Sequence, residues 1–229
     1  MERIEKLDYD LQIFQNSELY TFTSDAVLLA KFVNLRKGDV VVDLGTGSGI
    51  IALYLAKKGC SKKVIGVEIQ TELAKMAEKS VKLNKLEDKI EIINKNMKEV
   101  KLSADVVVTN PPYKKLTSLK NQNLSRAIAR HEVEINLDEL LTTASKMLNT
   151  GGRFYICYDS NRLAELIYKL KAHRLEPKAL FLSYPNINKD ASIVFIEAIK
   201  DGKEGIKILP PVITNGDDGK YIENLIVRR

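Results

Sequence analysis

The chain has 229 residues, 45% of them hydrophobic and 29% charged, and its 36 Lys and Arg against 30 Asp and Glu give a net charge of +6. This composition is typical of a globular protein with one sizeable hydrophobic core. No apolar run approaches the ~20 residues of a membrane-spanning helix, and the amino terminus lacks the hydrophobic core of a signal peptide. We therefore expect neither membrane insertion nor export, whereas the positive charge permits a polyanionic partner.

The cysteines and histidines give little sign of chemistry. Cys60 and Cys157 lie 97 residues apart, without metal-ligand or redox spacing. This spacing fits a reducing, cytoplasmic environment and predicts that both are inert packing residues. His131 and His173 are the only histidines, and we expect them to be structural hydrogen-bond partners. No metal site is predicted.

Strand-like and helix-like segments alternate along most of the chain. Short apolar runs rich in Val and Ile predict seven strands, at Asp39–Leu44, Lys63–Glu68, Ile90–Ile93, Ala104–Thr109, Arg153–Tyr158, Ala179–Tyr184 and Ala191–Lys200. Helices are predicted at Ser24–Phe32, from Ile50 onward, and at Thr71–Asn84, Asp138–Leu148 and Asn161–Lys171. Ser24 or Asp25 is expected to cap the first helix.

The alternation predicts an α/β fold, with a seven-stranded, mostly parallel sheet and helices on both faces. One strand is expected to be antiparallel, because residues 185–190 form a connection short enough for an antiparallel pair. We expect one domain over 1–229, comprising an N-terminal flank (1–38), a catalytic core (39–200) and a turn-rich tail (201–229) that packs irregularly.

A glycine-rich turn follows the first predicted strand. Gly45, Gly47 and Gly49 alternate there, whereas the dinucleotide fingerprint has its third glycine one place later, at Ile50. Such a turn lets the backbone approach a ligand and points helix amides into the crevice. The pattern indicates the nucleoside loop of S-adenosylmethionine enzymes, and a glycine turn used only for helix packing is the alternative.

Two acidic residues, one before the turn and one at the end of the next strand, are candidates for the same site. Glu68 lies 19 residues past Gly49, at the end of the second strand, where a carboxylate can accept both hydroxyls of a ribose. Asp43 precedes the turn and suits an amino acid ammonium group better than a pyrophosphate, which it would repel. The acids therefore favour S-adenosylmethionine over NAD.

Asn110, Pro111, Pro112 and Tyr113 follow the fourth strand, at the edge where open α/β sheets keep their sites. Two prolines stiffen the loop, so that the Asn110 amide and the Pro111 carbonyl can face a ligand. Together with the Tyr113 ring they suit a planar substrate that carries an NH2 group. A rigid proline turn is the alternative for this tetrapeptide.

A basic segment without acidic residues follows directly. Its five cations are Lys114, Lys115, Lys120, Arg126 and Arg130. A phosphate backbone would run here if one of its bases entered the pocket, so we interpret the segment as RNA-binding. A solvated lysine-rich loop is the alternative.

With these motifs in place, nearly the whole chain resembles class I S-adenosylmethionine-dependent methyltransferases with an Asn-Pro-Pro-Tyr loop. In particular, it resembles the bacterial tRNA1(Val) adenine-N(6)-methyltransferase family. The similarities are Leu19–Leu29, Asp43–Gly49, Asn110–Tyr113, Ala129–Glu132 and the Pro210-Pro211 tail. The first and fourth of these narrow the resemblance to the tRNA group.

The resemblance implies a Rossmann-like class I fold, S-adenosyl-L-methionine as cofactor and tRNA as partner. It implies that Asp43, Gly45 and Gly47 hold the methionine end of the cofactor, that Glu68 holds its ribose, and that Asn96 and Met97 hold its adenine. The family often has Asp where Asn96 stands, so which of residues 94–97 contacts the adenine stays open. The other cofactor candidates are Asp25, Gly49, Ile69 and Asn110.

Four other classes of protein could carry one or both of these motifs. A DNA-adenine methyltransferase would need an added region that reads a duplex, and a protein-glutamine methyltransferase would need a helical domain in front of the core. A ribosomal-guanine methyltransferase carries the same tetrapeptide. A noncatalytic module that binds RNA or senses the cofactor belongs to a different class, and two intact motifs argue against it. The oligomeric state, monomer or homodimer, stays open.

Overall fold

The computed structural model describes residues 2–19, 22–112 and 136–216. The strands within these residues are β1 (Glu2–Lys6), β2 (Gln12–Asn16), β3 (Val40–Leu44), β4 (Lys63–Glu68), β5 (Ile90–Asn94), β6 (Ala104–Thr109), β7 (Leu148–Asp159), β8 (Leu175–Tyr184), β9 (Ile193–Lys200), β10 (Lys207–Ile208) and β11 (Val212–Ile213). The helices are α1 (Ser24–Phe32), α2 (Ile50–Lys57), α3 (Thr71–Leu83), α4 (Leu137–Met147) and α5 (Leu163–Ala172). Short 3-10 turns lie at Asp8–Asp10, Met97–Glu99 and Ser160–Arg162. No helix in this part of the chain is long and apolar enough to cross a membrane.

The main sheet has the strand order β10-β8-β9-β7-β6-β3-β4-β5, and β11 also pairs with β8. Antiparallel β9 lies between β7 and β8, and the other pairs in the sheet are parallel. From central β3 the chain first builds β4 and β5 on one side, and then β6 and β7 on the other. The strand order therefore reverses between β3 and β6, which is where open α/β sheets form a crevice at the carboxyl ends of their strands.

Both faces of the sheet are covered. One apolar cluster joins α1 and α2 to the sheet and includes the fully buried Phe32, Tyr155, Phe181 and Phe195. A second cluster joins α4 and α5 to the opposite face. The predicted fold class is thus confirmed, with its seven long strands, one of them antiparallel, and helices on both faces.

Some local predictions are wrong. Thr23, rather than Ser24 or Asp25, occupies the cap position of α1, because the helix already includes Ser24. The tail is more regular than expected, since β10 and β11 extend β8 by parallel pairing. The division into flank, core and tail stays a prediction.

The N-terminal flank contains a hairpin that the sequence analysis did not predict. Strands β1 and β2 pair antiparallel and form a separate two-stranded sheet. Its β2 strand lies against α3, and Ile13 of this strand and Leu11, just before it, are buried in the first apolar cluster. The flank is therefore anchored to the helix that follows β4.

Candidate active site

The glycine turn and the Asn-Pro-Pro loop lie side by side at the crevice. In the paired strands β3 and β6, Leu44 is the partner of Thr109. The Thr109 hydroxyl donates a hydrogen bond to the Leu44 carbonyl (2.9 Å), which ties the last residues of the two strands together. Gly45 and Asn110 are the next residues in each chain segment, so the two loops leave the sheet as neighbours.

The three glycines of the turn have different surroundings. All three have left-handed backbone, with φ of +72° at Gly45, +58° at Gly47 and +91° at Gly49. A Cβ at Gly45 or Gly47 would meet no heavy atom within 4 Å, whereas a Cβ at Gly49 would meet the Ala77 Cβ at 3.3 Å. The first two glycines therefore leave room for a ligand beside the backbone, and the third allows α2 and α3 to pack closely.

Asp43 lies beneath the turn and is fully buried. The Thr46 hydroxyl donates to its Oδ2 (2.6 Å), but Oδ1 has no hydrogen-bond partner among the described residues. Burial raises the pKa of Asp43 to about 7, and the nearby Glu68 carboxylate adds to the rise, although the Thr46 hydrogen bond opposes it. A buried acid with one unsatisfied oxygen would be stabilised by a cationic group close by.

Glu68 ends β4 and is also buried. Its Oε2 accepts from the Gly47 amide and its Oε1 from the Gln70 amide, both at 2.9 Å. These bonds hold the carboxylate at the rim of the turn, where carboxylate oxygens can accept hydrogen bonds from hydroxyl groups.

Gly66 contributes to this geometry and was missed by the sequence analysis. A Cβ at Gly66 would lie 2.9 Å from the Thr46 Cγ2, so only glycine lets Thr46 pack over β4 and reach Asp43. The available signal was a glycine in the middle of an otherwise apolar strand, which often marks a close approach.

Beyond Glu68 the chain offers four candidates for the adenine side. Asn94 donates to the carbonyls of Glu68 (2.8 Å) and Ile69 (3.2 Å), so its side chain holds the backbone of this rim. The Asn96 Oδ1 accepts from the Lys98 amide (3.0 Å) and begins the 3-10 turn at Met97–Glu99. Ile69 is 42% exposed, and Met97 packs partly against the second apolar cluster.

Across the crevice, Asn110 is half-buried, Pro111 is buried and Pro112 is exposed. The Cys157 thiol donates to the Asn110 Oδ1 at 2.9 Å. Cys157 itself is fully buried on β7, and burial raises the pKa of its thiol, with a further contribution from the Asp25 carboxylate. The prediction that Cys157 is only a packing residue is therefore incomplete. Its protonated thiol is a hydrogen-bond donor that orients the Asn110 amide. Asp25, in the first turn of α1, lies close enough for its charge to act on the Cys157 thiol.

Several predicted residues lie outside the described part of the chain, namely Tyr113, Lys114, Lys115, Lys120, Arg126, Arg130 and His131. The other histidine, His173, faces Asp138, with its Nε2 3.1 Å from Oδ1, and Lys169 pairs with the same carboxylate. Lys169 and His173 lower the pKa of Asp138. This group links α4 to α5 away from the crevice.

Comparison with known proteins decides the family. Residues 21–174 match the family model described as the methyltransferase small domain. The chain belongs to this family. It is an enzyme of the methyltransferase class, and its cofactor is S-adenosyl-L-methionine.

The methyltransferase is also similar to curated and solved relatives. A tRNA1(Val) (adenine(37)-N6)-methyltransferase from Bacteroides fragilis is 27% identical over 207 residues, covering 87% of this chain and 86% of that protein. A protein of the same name from Porphyromonas gingivalis is 32% identical over 141 residues, covering 58% and 55%. The crystal structure of a predicted O-methyltransferase from Agrobacterium tumefaciens has a TM-score of 0.65 at 21% identity, covering 82% and 86%, and supports the fold.

The residues at the crevice of this methyltransferase fit the cofactor. The unpaired Oδ1 of buried Asp43 suits the ammonium group at the cofactor's methionine end, and the open side of Gly45 and Gly47 leaves space along the backbone. Glu68, a carboxylate held at the rim by two backbone amides, suits the ribose hydroxyls. These assignments of single residues stay predictions.

Proposed function

We propose that this methyltransferase modifies the exocyclic N6 amine of an adenine in tRNA, beside the anticodon. Support comes from the two relatives, whose names specify adenine 37 of tRNA1(Val). One of them matches this chain over most of the length of both proteins. Because the substrate is tRNA, we also propose the cytoplasm as the place of action.

The single observation that carries the proposal is the position of Asn110. Its side chain lies at the carboxyl end of β6, next to the glycine turn. Among the described residues, the neutral Cys157 thiol is its hydrogen-bond donor. An amide oxygen and the following Pro111 carbonyl can accept the two hydrogens of an aromatic amine. No charged base is needed at such a site.

The chemistry follows from these acceptors. The cofactor supplies a methyl group on a sulfonium, which is already an activated electrophile. Adenine N6 is a weak nucleophile because its lone pair is shared with the ring. Acceptors at Asn110 and Pro111 favour the more tetrahedral amine and orient its nitrogen for attack. The nitrogen would bond to the methyl carbon as that carbon leaves the sulfur, and the amine would lose one proton to solvent.

The base must leave its stack to reach this crevice. Splaying out one base costs less in a single-stranded loop than in a duplex, which favours an anticodon-loop adenine. We propose that Tyr113 stacks on the base, and that Lys114, Lys115, Lys120, Arg126 and Arg130 bind the adjoining phosphates.

Methyl transfer by the purified protein tests the proposal. With labelled S-adenosylmethionine we expect label in tRNA and, after digestion, in N(6)-methyladenosine. Ribosomal RNA, duplex DNA and glutamine-containing peptides serve as competing substrates in parallel reactions. Label in a guanine or in peptide glutamine would overturn the substrate assignment, and cofactor binding without transfer to any substrate would overturn the catalytic one.

The RNA surface has its own test. Replacing Lys114, Lys115 and Lys120 with Glu should raise the KM for tRNA while the Kd for the cofactor stays unchanged, and wild-type tRNA binding should weaken steeply with salt. The matched control replaces Lys62, Lys82 and Lys89 with Glu, since these exposed lysines precede β4 and β5 or lie late in α3, away from the crevice. An equal effect of both triple variants, or a flat salt dependence, would count against the basic segment.

A further inference from the structure

The cofactor turn is contacted by a side chain from the N-terminal hairpin. The Gln15 Nε2 donates to the Ser48 Oγ at 2.9 Å, and this contact joins residues that are 33 positions apart. Gln15 is 1% exposed and Ser48 is 3% exposed. A hydrogen bond between two such buried groups has no competition from water, and either partner would be left unsatisfied without the other.

Ser48 provides a side chain by which this part of the turn can be held. Its neighbours Gly47 and Gly49 carry no side chain, and both have left-handed backbone. Glu68 holds the Gly47 amide from the β4 side, at 2.9 Å. Gln15 holds Ser48 from the hairpin, so two side chains from distant parts of the chain fix two adjacent residues of the turn.

The hairpin can exert this hold because it is itself fixed to α3. The Gln12 amide donates to the Asn84 Oδ1 (2.9 Å), and the Asn84 Nδ2 donates back to the Gln12 carbonyl (2.6 Å). The Phe14 amide donates to the Ser80 Oγ (3.1 Å). Every second residue of β2 is buried, which aims Gln15 inward alongside Leu11 and Ile13.

We propose that Gln15 is a positioning residue for the cofactor: through Ser48 it holds the glycine turn in the conformation that binds S-adenosylmethionine. The hairpin is thereby part of the cofactor site, although none of its residues needs to touch the cofactor. A turn that has to be ordered at the moment of binding binds more weakly than one already in place. The proposal rests on the cofactor assignment and is independent of the nucleic acid substrate.

Gln15→Met tests the proposal, because methionine keeps the length of the side chain and removes the amide. We expect the Kd for S-adenosylmethionine to rise about fivefold to tenfold, the loss of one buried hydrogen bond. The kcat at saturating cofactor and the KM for the nucleic acid substrate should stay unchanged. A role in folding alone would lower the fraction of active protein without moving the Kd.

Gln12→Met is the matched control, since Gln12 lies on the same strand with its side chain outside the buried set and keeps its backbone bonds to Asn84. It should bind the cofactor as the wild type does. Ser48→Ala removes the other partner and should weaken binding like Gln15→Met, which also covers the case that Gln15→Met fails to fold.

The double variant closes the cycle. If the contact is responsible, Gln15→Met combined with Ser48→Ala should be no weaker than the weaker single variant. Wild-type affinity in both single variants, or effects that multiply in the double variant, would overturn the positioning role. Because the readout is calorimetric cofactor binding, the result does not depend on which nucleic acid the enzyme methylates.

Discussion

Two buried aspartates lie near the two ends of β3, Asp39 just before the strand and Asp43 within it, and their hydrogen bonding differs. At the amino end, the Asp39 Oδ2 accepts from the Arg153 guanidinium (2.7 Å) and from the Arg36 amide (2.6 Å). Arg153 also donates to the Asn34 carbonyl. At the carboxyl end, Asp43 has one hydroxyl partner, and its Oδ1 has none among the described residues.

Pairing, rather than burial, separates the acid that stabilises the fold from the acid that would bind a ligand. Asp39 is 6% exposed and Asp43 is 0% exposed, so burial does not distinguish them. What differs is compensation: a paired buried charge is complete within the protein, whereas an unpaired one costs free energy until a ligand or solvent completes it. The acid at the amino end of β3 therefore stabilises the fold, whereas the acid at the carboxyl end has a carboxylate oxygen that a ligand could pair.

The largest expected effect is on catalysis at the carboxyl end. Asn110→Ala removes the acceptor proposed for the target amine, and we expect kcat to fall by about a thousandfold or more. The unfolding midpoint should change little, because the half-buried side chain lies outside both apolar clusters. The cofactor should stay bound, because Asp43 and Glu68 are the residues expected to hold it most tightly. Single-turnover assays and calorimetry on the same preparation measure both. An active Asn110→Ala enzyme would show that the amide has no such role.

The next effect is on stability at the amino end. Arg153→Ala leaves Asp39 buried without its cation, which typically costs about 3–5 kcal/mol. Denaturant unfolding measures this loss, and the Kd for the cofactor in the folded fraction should stay unchanged. Arg174→Ala is the control, because its ion pair with Asp201 involves a 71% exposed side chain and contributes less than about 1 kcal/mol. Equal losses for the two variants would remove the distinction between the paired acid and a surface pair.

A moderate effect is expected on the cofactor. Asp43→Ala or Glu68→Ala should each raise the Kd for S-adenosylmethionine by about tenfold or more, the loss of a charged hydrogen bond. Asp43→Asn should do the same without lowering the free energy of unfolding at pH 8, because it removes an incompletely compensated charge. Calorimetry that finds NAD bound and S-adenosylmethionine ignored would refute the assignment of both acids.

The pH dependence sharpens the contrast further. The pKa of Asp43 rises from 3.8 to about 7 on folding. Between pH 3.8 and about pH 7 the folded protein holds a proton on Asp43 that the unfolded chain has lost. The free energy of unfolding should therefore fall as the pH rises through this range, by up to about 4 kcal/mol. The ammonium group of the cofactor favours the ionised acid, so affinity should increase from pH 6 to pH 8 and binding near pH 6 should release protons.

Calorimetry in buffers of different ionisation enthalpy counts those protons. Asp43→Asn is the control, since it lacks the titrating group and should release none through this position. Equal proton release by the wild type and Asp43→Asn would assign the titration to another group.

Much of the sheet could be predicted because its strands are buried on both faces and show as continuous apolar runs. The bounds of β4 and β6 are those that the sequence predicts. The hairpin could not be predicted, because β1 is charged and mostly exposed. Its connection turns through Tyr9 and Asp10 with positive φ, without the glycine that usually signals such a turn. Its strands form because β2 packs on α3, which is a tertiary cause.

The site was predictable where a motif carries its own geometry, and not where distant residues complete it. The glycine turn, Glu68 and Asn110 meet at the predicted edge of the sheet. The roles of Gly66, Gln15 and Cys157 depend on contacts with Thr46, Ser48 and Asn110 across the fold. Likewise, the place of Asp43 before the glycine turn marks it in the sequence, but the ion pair of Asp39 could not be predicted, because Arg153 is supplied by β7, 114 positions away.

Nucleoside mass spectrometry of tRNA would show whether this enzyme makes N(6)-methyladenosine in cells. Total tRNA would be compared from cells without this protein, and from the same cells supplied with either the wild type or Asn110→Ala. We predict N(6)-methyladenosine in an anticodon loop with the wild type only, at a position adjacent to the anticodon. Unchanged N(6)-methyladenosine in all three samples, or a modified guanine that follows the wild type, would contradict the account.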